Sequence, residues 1–320
     1  MTDLSTRVSL VRGAILGALC GDAAGAVLEF MGGEVTPALA SRALTFPGGG
    51  VWGVAPGQVT DDGELTLALA RALSGQVTYP REAVARRYRD WFTSAPFDVG
   101  GTTAAALSGH AGRRVDLADV MDAQAARSSA SSKANGSLMR ASGLGAWAWR
   151  LSLEDAAEAA RADARLTHPN RSCQDAGAAY VVAIRHLVLH PDDAEGAFAA
   201  ACGVVREDEV ARWLDDARAG RLPPCSPQDG FVRIAFTHAF GHLLRRSGWS
   251  DAMAEVLAGG GDTDTNACIV GGLVGARVGE AGLPEAALSA VLSCDTARGN
   301  PRPDWLRTRD ALALADVLAT

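Results

Sequence analysis

Gly259-Gly260-Gly261-Asp262-Thr263-Asp264-Thr265-Asn266 is the stretch on which the reading of this chain turns. A run of glycines leads into two carboxylates and two hydroxyls at four consecutive positions. A small-residue apolar pattern follows at once (Ala267, Ile269, Val270, Leu273, Val274) and fits a helix. Far away in the sequence, Thr60-Asp61-Asp62 repeats this chemistry ahead of a second helical pattern, with Leu65, Leu69 and Leu73 on one face and Gly75 as its stop. Asp and Thr at a helix start are ordinary N-caps, because their oxygens accept bonds from the orphan N–H groups of the first turn. Capping needs one such side chain, and here three or four stand together. Adjacent carboxylates repel one another unless a cation or protons neutralise them, so the surplus points to a site.

Working outward, the rest of the chain also reads as helical. From about Leu4 to Glu29, Val8, Val11, Ile15, Leu19 and Val27 fall near one face. The second half of this stretch is rich in Gly and Ala, residues that let another backbone approach closely, since glycine otherwise costs a helix about 1 kcal/mol against alanine. On an unbroken helix Asp22 and Glu29 share a face, either as a solvated acidic edge or as part of a site. Residues 46–59 hold enough Pro and Gly to be a loop. Further helices are expected at Arg81 to Phe92, at 152–165, 172–189, 207–218 and 231–246, and over Pro284–Ser293 and Trp305–Leu318. Ser128 to Gly145, with Asn135-Gly136-Ser137 at its centre, reads as a loop, either a plain turn or a cradle for phosphate. Asp98 sits in a Pro/Gly-flanked loop, as a helix cap or a site acid. No period-2 strand is evident, so the expectation is an all-α protein.

The 320 residues are 48% hydrophobic and 21% charged, with no linker, repeat or low-complexity run. One compact multi-helix domain over residues 1–320 is therefore favoured. A net charge of −7 and the lack of a basic stripe argue against a nucleic-acid partner. No stretch reads as an uninterrupted membrane span or a signal peptide, and the six cysteines form no CxxC pair or regular framework. A reducing, cytoplasmic setting is expected.

The histidines offer zinc-like i, i+4 pairs at His186/His190 and His238/His242, but neither carries the glutamate of HExxH nor a nearby third ligand. No GxSxG elbow, Walker motif or strand-borne GxGxxG is present. What remains is oxygen chemistry. Carboxylates and hydroxyls without sulfur or imidazole favour Mg²⁺, Mn²⁺ or Ca²⁺ over zinc. Four aspartates (Asp61, Asp62, Asp262, Asp264) carry charge enough for two divalent ions, which in such sites lie about 3.5–4 Å apart. The residues alone thus point to an all-α dinuclear metal hydrolase.

Six motifs, in order along nearly the whole chain, resemble those of the ADP-ribosylglycohydrolase family. They are Gly21-Asp22-Ala23-Ala24-Gly25 with Glu29, Pro47-Gly48-Gly49-Gly50 through Gln58-Val59-Thr60-Asp61-Asp62, and Phe97-Asp98-Val99-Gly100. Asn135-Gly136-Ser137-Leu138-Met139-Arg140, Thr167-His168-Pro169-Asn170 and Gly260-Gly261-Asp262-Thr263-Asp264-Thr265 complete the set. The resemblance implies two Mg²⁺ or Mn²⁺ ions in a central cleft, held by Thr60, Asp61, Asp62, Asp262, Asp264 and Thr265, with Thr263 facing elsewhere. It implies hydrolysis that removes ADP-ribose from an ADP-ribosylated protein or small-molecule acceptor, foremost at the N-glycosidic bond to arginine. Asp98 and Glu29 are the candidates for activating water, by analogy with the carboxylates of glycoside hydrolysis; Asp98 could instead hold the guanidinium. Asn135, Gly136, Ser137 and His168 are the implied ADP-ribose-binding positions.

Departures from the family pattern are Gly63, where Thr or Ser is frequent, Gly101, where Asn is common, and Lys133, near a position that can hold an aromatic residue. They leave other acceptors open, such as serine, a nucleobase or a small metabolite. A non-catalytic ADP-ribose-binding relative and a two-metal phosphoesterase are the readings from other classes.

Overall fold

The computed structural model describes residues 2–109 and 115–320. In chain order its helices are α1 (Leu4–Gly25), α2 (Pro37–Ala43), α3 (Asp61–Leu73), α4 (Arg81–Thr93), α5 (Gly101–Leu107), α6 (Leu117–Ser128), α7 (Ala141–Trp147) and α8 (Leu153–Arg165). They continue as α9 (Arg171–Leu189), α10 (Ala194–Val204), α11 (Asp208–Arg218), α12 (Val232–Leu244), α13 (Trp249–Ala258), α14 (Thr263–Val278), α15 (Glu285–Leu292) and α16 (Ala311–Ala319). Among the described residues there is no β-strand, only two isolated bridges, Gly49 to Val54 and Ala134 to Phe231. The all-α expectation holds.

The centre of the molecule is the antiparallel pair α1 and α14. A Cβ on Gly17 would lie 2.4 Å from the Gly271 carbonyl oxygen, and one on Gly275 would lie 2.1 Å from the Gly13 carbonyl oxygen. No side chain fits in such a gap, so the glycines that weaken each helix singly let the two backbones meet. Thr263 closes the end of the pair, its hydroxyl donating to the Gly25 carbonyl at 2.9 Å. The other helices wrap this pair and bury large apolar side chains around it, Trp91, Trp147, Trp249, Tyr88 and Phe236 among them.

Four expectations are corrected. Helix α1 stops at Gly25 and does not run to Glu29, so Asp22 and Glu29 do not share a helix face; a Cβ on Gly25 would lie 2.4 Å from Asp264 Cα, and the chain turns away there. The stretch 128–145 is not all loop: α7 begins at Ala141, and its small residues serve close packing, with Gly143 against the Thr66 carbonyl and Gly145 against Ile184. Short helices α2, α6, α10 and α13 went unread, and the stretch 305–318 is broken into 3₁₀ turns before α16. Finally, α1 is by length and composition apolar enough to cross a membrane, contrary to the sequence reading, yet 83% of its apolar window is buried inside the fold. Its apolar surface is satisfied by α14 and its neighbours.

Candidate active site

Helices α3 and α14 start side by side at one end of the α1–α14 pair and carry the two acidic segments. Neither start is capped by its own first side chain: Thr60 and Asp262 make no side-chain cap bond. Instead Asp22, completely buried on α1, caps α3 from outside. Its carboxylate accepts from the Thr60 N–H at 3.0 Å, the Thr60 hydroxyl at 2.8 Å and the Gly63 N–H at 2.7 Å. Gly63 gives the Asp22 carboxylate its close approach, since a Cβ there would lie 2.6 Å from the Asp22 oxygen and would require that side chain to shift. For α3 the ordinary capping role is thus taken by a residue from another helix, leaving Asp61 and Asp62 free for other work.

Those acids converge. Asp22, Asp62 and Asp264 offer oxygens all within 4.8 Å of one another, as do Glu29, Asp98 and Asp264. Two unit charges at that distance repel by roughly 3–4 kcal/mol at an effective dielectric of about 20. Three ionised carboxylates then cost on the order of 10 kcal/mol, comparable to the whole stability of a domain. Burial and the neighbouring carboxylates push Asp61, Asp62 and Asp264 well above the usual carboxylate range. Burial likewise lifts Asp22 to about 7 against its own hydrogen bonds. Asp62 Oδ1 is buried without any hydrogen-bond partner. An all-oxygen donor set, an orphaned carboxylate oxygen and unrelieved repulsion fit a hard divalent cation, which would neutralise what protons otherwise must.

Over this cluster lies a cavity of about 430 Å³. It brings together nine of the residues expected from sequence: Glu29, Asp61, Asp98, Asn135, Gly136, His168, Asp262, Asp264 and Thr265. Among the described residues no lysine or arginine lines it. Thr60, Asp62 and Ser137 lie behind its wall. Thr60 Oγ1 stands 3.1 Å from Asp62 Oδ2 and 3.3 Å from Asp264 Oδ2, and Ser137 is buried with its hydroxyl unpartnered.

One rim carries Glu29 and Asp98. Burial lifts both, and the charge of Glu29, followed by that of Asp262, helps hold Asp98 at about 7. The Trp52 indole N–H donates to Glu29 Oε2 at 2.6 Å, and the Trp52 ring meets Phe30 and Phe97 edge-on at 6.1 and 6.2 Å. The 135–140 turn lines the same cavity through Asn135, Gly136 and Met139. Asn135 Nδ2 donates to Asp262 Oδ2 at 2.7 Å, tying that turn to α14. A Cβ on Gly136 would lie 2.9 Å from the His168 ring, so glycine lets the imidazole close on the turn. Burial, aided by Arg140, drops His168 to about 3, so it works as a neutral ring, with Nδ1 paired to the Thr167 hydroxyl at 2.8 Å. Arg140 is itself buried against Asp163 at 3.0 Å and stacked 4.3 Å over Tyr88.

Trp52, Asp229 and the α5 residues Thr102 and Thr103 line the cavity, and sequence reasoning missed them. The sequence marks Asp22 as an acid in a small-residue helix and as part of a family motif, but neither signal shows that it caps α3. The histidine pairs stay out of the site: neither acidic cluster includes them, and His238 Nε2 lies 2.8 Å from the Pro223 carbonyl.

Comparison with known proteins gives one consistent answer. The profile of the family described as ADP-ribosylglycohydrolase matches residues 3–319. A protein of Acanthamoeba polyphaga mimivirus named as an ADP-ribosyl glycohydrolase is 28% identical over 307 residues, covering 88% of this chain and 91% of that protein. The ADP-ribosyl-dinitrogen reductase glycohydrolase of Rhodospirillum rubrum is 28% identical over 282 residues, 87% of this chain and 88% of its own. The ADP-ribosylarginine hydrolase Tri1 of Serratia proteamaculans is 34% identical over 110 residues, 32% of this chain and 29% of its own. A solved structure of an ADP-ribosylglycohydrolase-related protein complex shares the fold, with a TM-score of 0.75 at 24% identity over 98% of each chain.

Proposed function

The chain belongs to the ADP-ribosylglycohydrolase family, whose members remove ADP-ribose from ADP-ribosylated acceptors, and from this premise we propose a metal-dependent ADP-ribosyl-arginine hydrolase. The observation that carries the reading is the cleft itself, where two acids lifted toward neutrality, Glu29 and Asp98, face an all-oxygen carboxylate cluster. The names of the Rhodospirillum and Serratia relatives support removal from a protein and from arginine respectively.

Asp61, Asp62, Asp262, Asp264, Thr60 and Thr265 would hold one or two divalent ions, Mg²⁺ or Mn²⁺. Bound there, such ions supply positive charge that orients ribose hydroxyls and steadies negative charge developing on oxygen. The chain's own residues do the rest. Asn135, Gly136 and the neutral His168 line the same cleft as the acids and would seat the ADP-ribose. One acid, Asp98 or Glu29, takes a proton from the attacking water as its oxygen bonds to C1″. The C1″–N bond breaks with its electron pair on the guanidine nitrogen, which takes up a proton. Asp98, held at about 7, is suited to such an exchange in either direction. The aromatic row Phe30, Trp52 and Phe97 beside these acids suits a departing guanidinium, through its ring faces. The six cysteines, all unpaired, suit a cytoplasmic setting for this activity.

The test is ADP-ribose release from ADP-ribosyl-arginine by purified protein in Mg²⁺ or Mn²⁺, against the same protein in chelator. Metal-dependent release is expected, with kcat falling by roughly 10²- to 10⁴-fold in Asp98→Asn or Glu29→Gln, the usual weight of a general acid or base. Cleavage of an ADP-ribosyl-serine or nucleobase conjugate in place of the arginine one overturns the acceptor assignment. Binding of ADP-ribose with no conjugate cleaved overturns catalysis.

A further inference from the structure

Glu29 and Asp98 come from separate segments with no regular structure of their own, yet their oxygens stand within 4.8 Å of the same Asp264. We propose that residues 299–302, which do not line the cleft, form a clamp that positions both acids relative to the acidic helix α3, one through Asn300 and the other through Arg302.

The Arg302 arm reaches Asp98. Its side chain is 4% exposed, and its guanidinium grips Glu64, one turn along α3 from Asp61, through Nε at 2.7 Å and Nη2 at 3.0 Å. The remaining donors go to the loop after α4: Nη1 to the Ser94 and Ala95 carbonyls at 3.0 and 3.1 Å, and Nη2 to the Ser94 hydroxyl at 2.8 Å. Ala95 is held at φ +54°, a left-handed conformation unusual for a residue with a side chain, three positions before Asp98. The Trp91 indole donates to Glu64 at 2.7 Å and fixes the same carboxylate from α4. A planar fork with five donors can serve two carboxylate oxygens, two carbonyls and a hydroxyl at once; an ammonium cannot.

The Asn300 arm reaches Glu29. Its backbone exchanges two hydrogen bonds with Gln58, N–H to Oε1 at 3.0 Å and O from Nε2 at 2.6 Å, two residues before Thr60. Its side chain donates to the Trp52 carbonyl at 2.9 Å, and the Trp52 indole in turn donates to Glu29. Gly299 permits the contact, since a Cβ there would lie 2.2 Å from the Ala55 nitrogen and 2.4 Å from Gln58 Oε1. One short segment thereby locks the Trp52–Glu29 arm, the entry to α3 and the Asp98 loop to each other. Such clamps matter because a misplacement of about 1 Å can cost 10²-fold in rate.

This rests on the reading that Glu29 and Asp98 face the glycosidic bond, so the test has one readout that needs no turnover. Arg302→Lys keeps the charge opposite Glu64 but cannot serve the carbonyls, and Asn300→Ala removes only the Trp52 contact. Crystal structures are expected to show Asp98 displaced with Glu29 in place in the first variant, and the reverse in the second. Kinetics are expected to show kcat down about 10- to 100-fold, with ADP-ribose and Mn²⁺ dissociation constants within about twofold of the parent, a split that general destabilisation would not give. Both acids unmoved, or kcat and ADP-ribose affinity falling together, overturns the clamp. If the parent protein fails to cleave ADP-ribosyl-arginine, the functional reading falls while the displacement of the acids still decides the clamp.

Discussion

The Asp22 carboxylate on α1 accepts the Thr60 N–H at 3.0 Å and the Thr60 hydroxyl at 2.8 Å, across 38 residues of sequence. One buried acid thereby orients the first residue of the acidic segment and the helix that follows. Metal sites depend on such outer partners, whose loss costs typically 10- to 100-fold in metal affinity. Asp22→Asn keeps the shape but replaces an acceptor oxygen with a donor facing the Thr60 and Gly63 N–H groups. Mn²⁺ affinity by titration calorimetry is expected to fall by about that factor. Affinity equal to the parent's would mean Asp22 serves the fold alone.

The contact between Gly17 and Gly271 sets a second expectation. In Gly17→Ala the new methyl would meet the Gly271 carbonyl at 2.4 Å, with backbone on both sides and no side chain to yield. Overpacking of a buried interface costs about 1–3 kcal/mol, which outweighs the gain of about 1 kcal/mol in helix propensity. Net destabilisation by urea titration is expected. The same change at Gly203, near the end of α10 and with open space around its Cα, is the control and should be neutral or stabilising.

The acid limb of stability is expected to depend on His242, which burial, followed by the charge of Arg245, holds at about 4. Its folded pKa lies below the unfolded value of about 6.5, so the neutral ring is the one the fold accepts. The stability it contributes is fully present above pH 6.5 and is lost as pH falls toward 4, up to roughly 3 kcal/mol in all. With metal saturating, stability measured from pH 7 down to pH 5 should fall less steeply in His242→Asn than in the parent. Equal slopes would contradict this.

The acids at 60–62 and 262–265 were legible in the sequence because their surplus is local. A helix start needs one cap, and more than one acid there has to be explained where it stands. The glycines of α1 and α14 were legible for a similar reason, as a cost to each helix that only a close neighbour could offset. The short helices α2, α6, α10 and α13 were not, since tertiary packing holds helices of so few turns.

The sequence by itself determined an all-α chain, its two acidic helix starts and the family they resemble, because each of these is written in local composition and spacing. Tertiary structure alone decided that α1 ends at Gly25, against the Asp264 backbone. It alone decided that Asp22 caps α3 from another helix, and that Asn300 and Arg302 reach back across more than 200 residues to Trp52 and Glu64. Such contacts follow from how backbones cross and which buried donors must find acceptors. No periodicity records them, because the partners share a position in space and none in the chain.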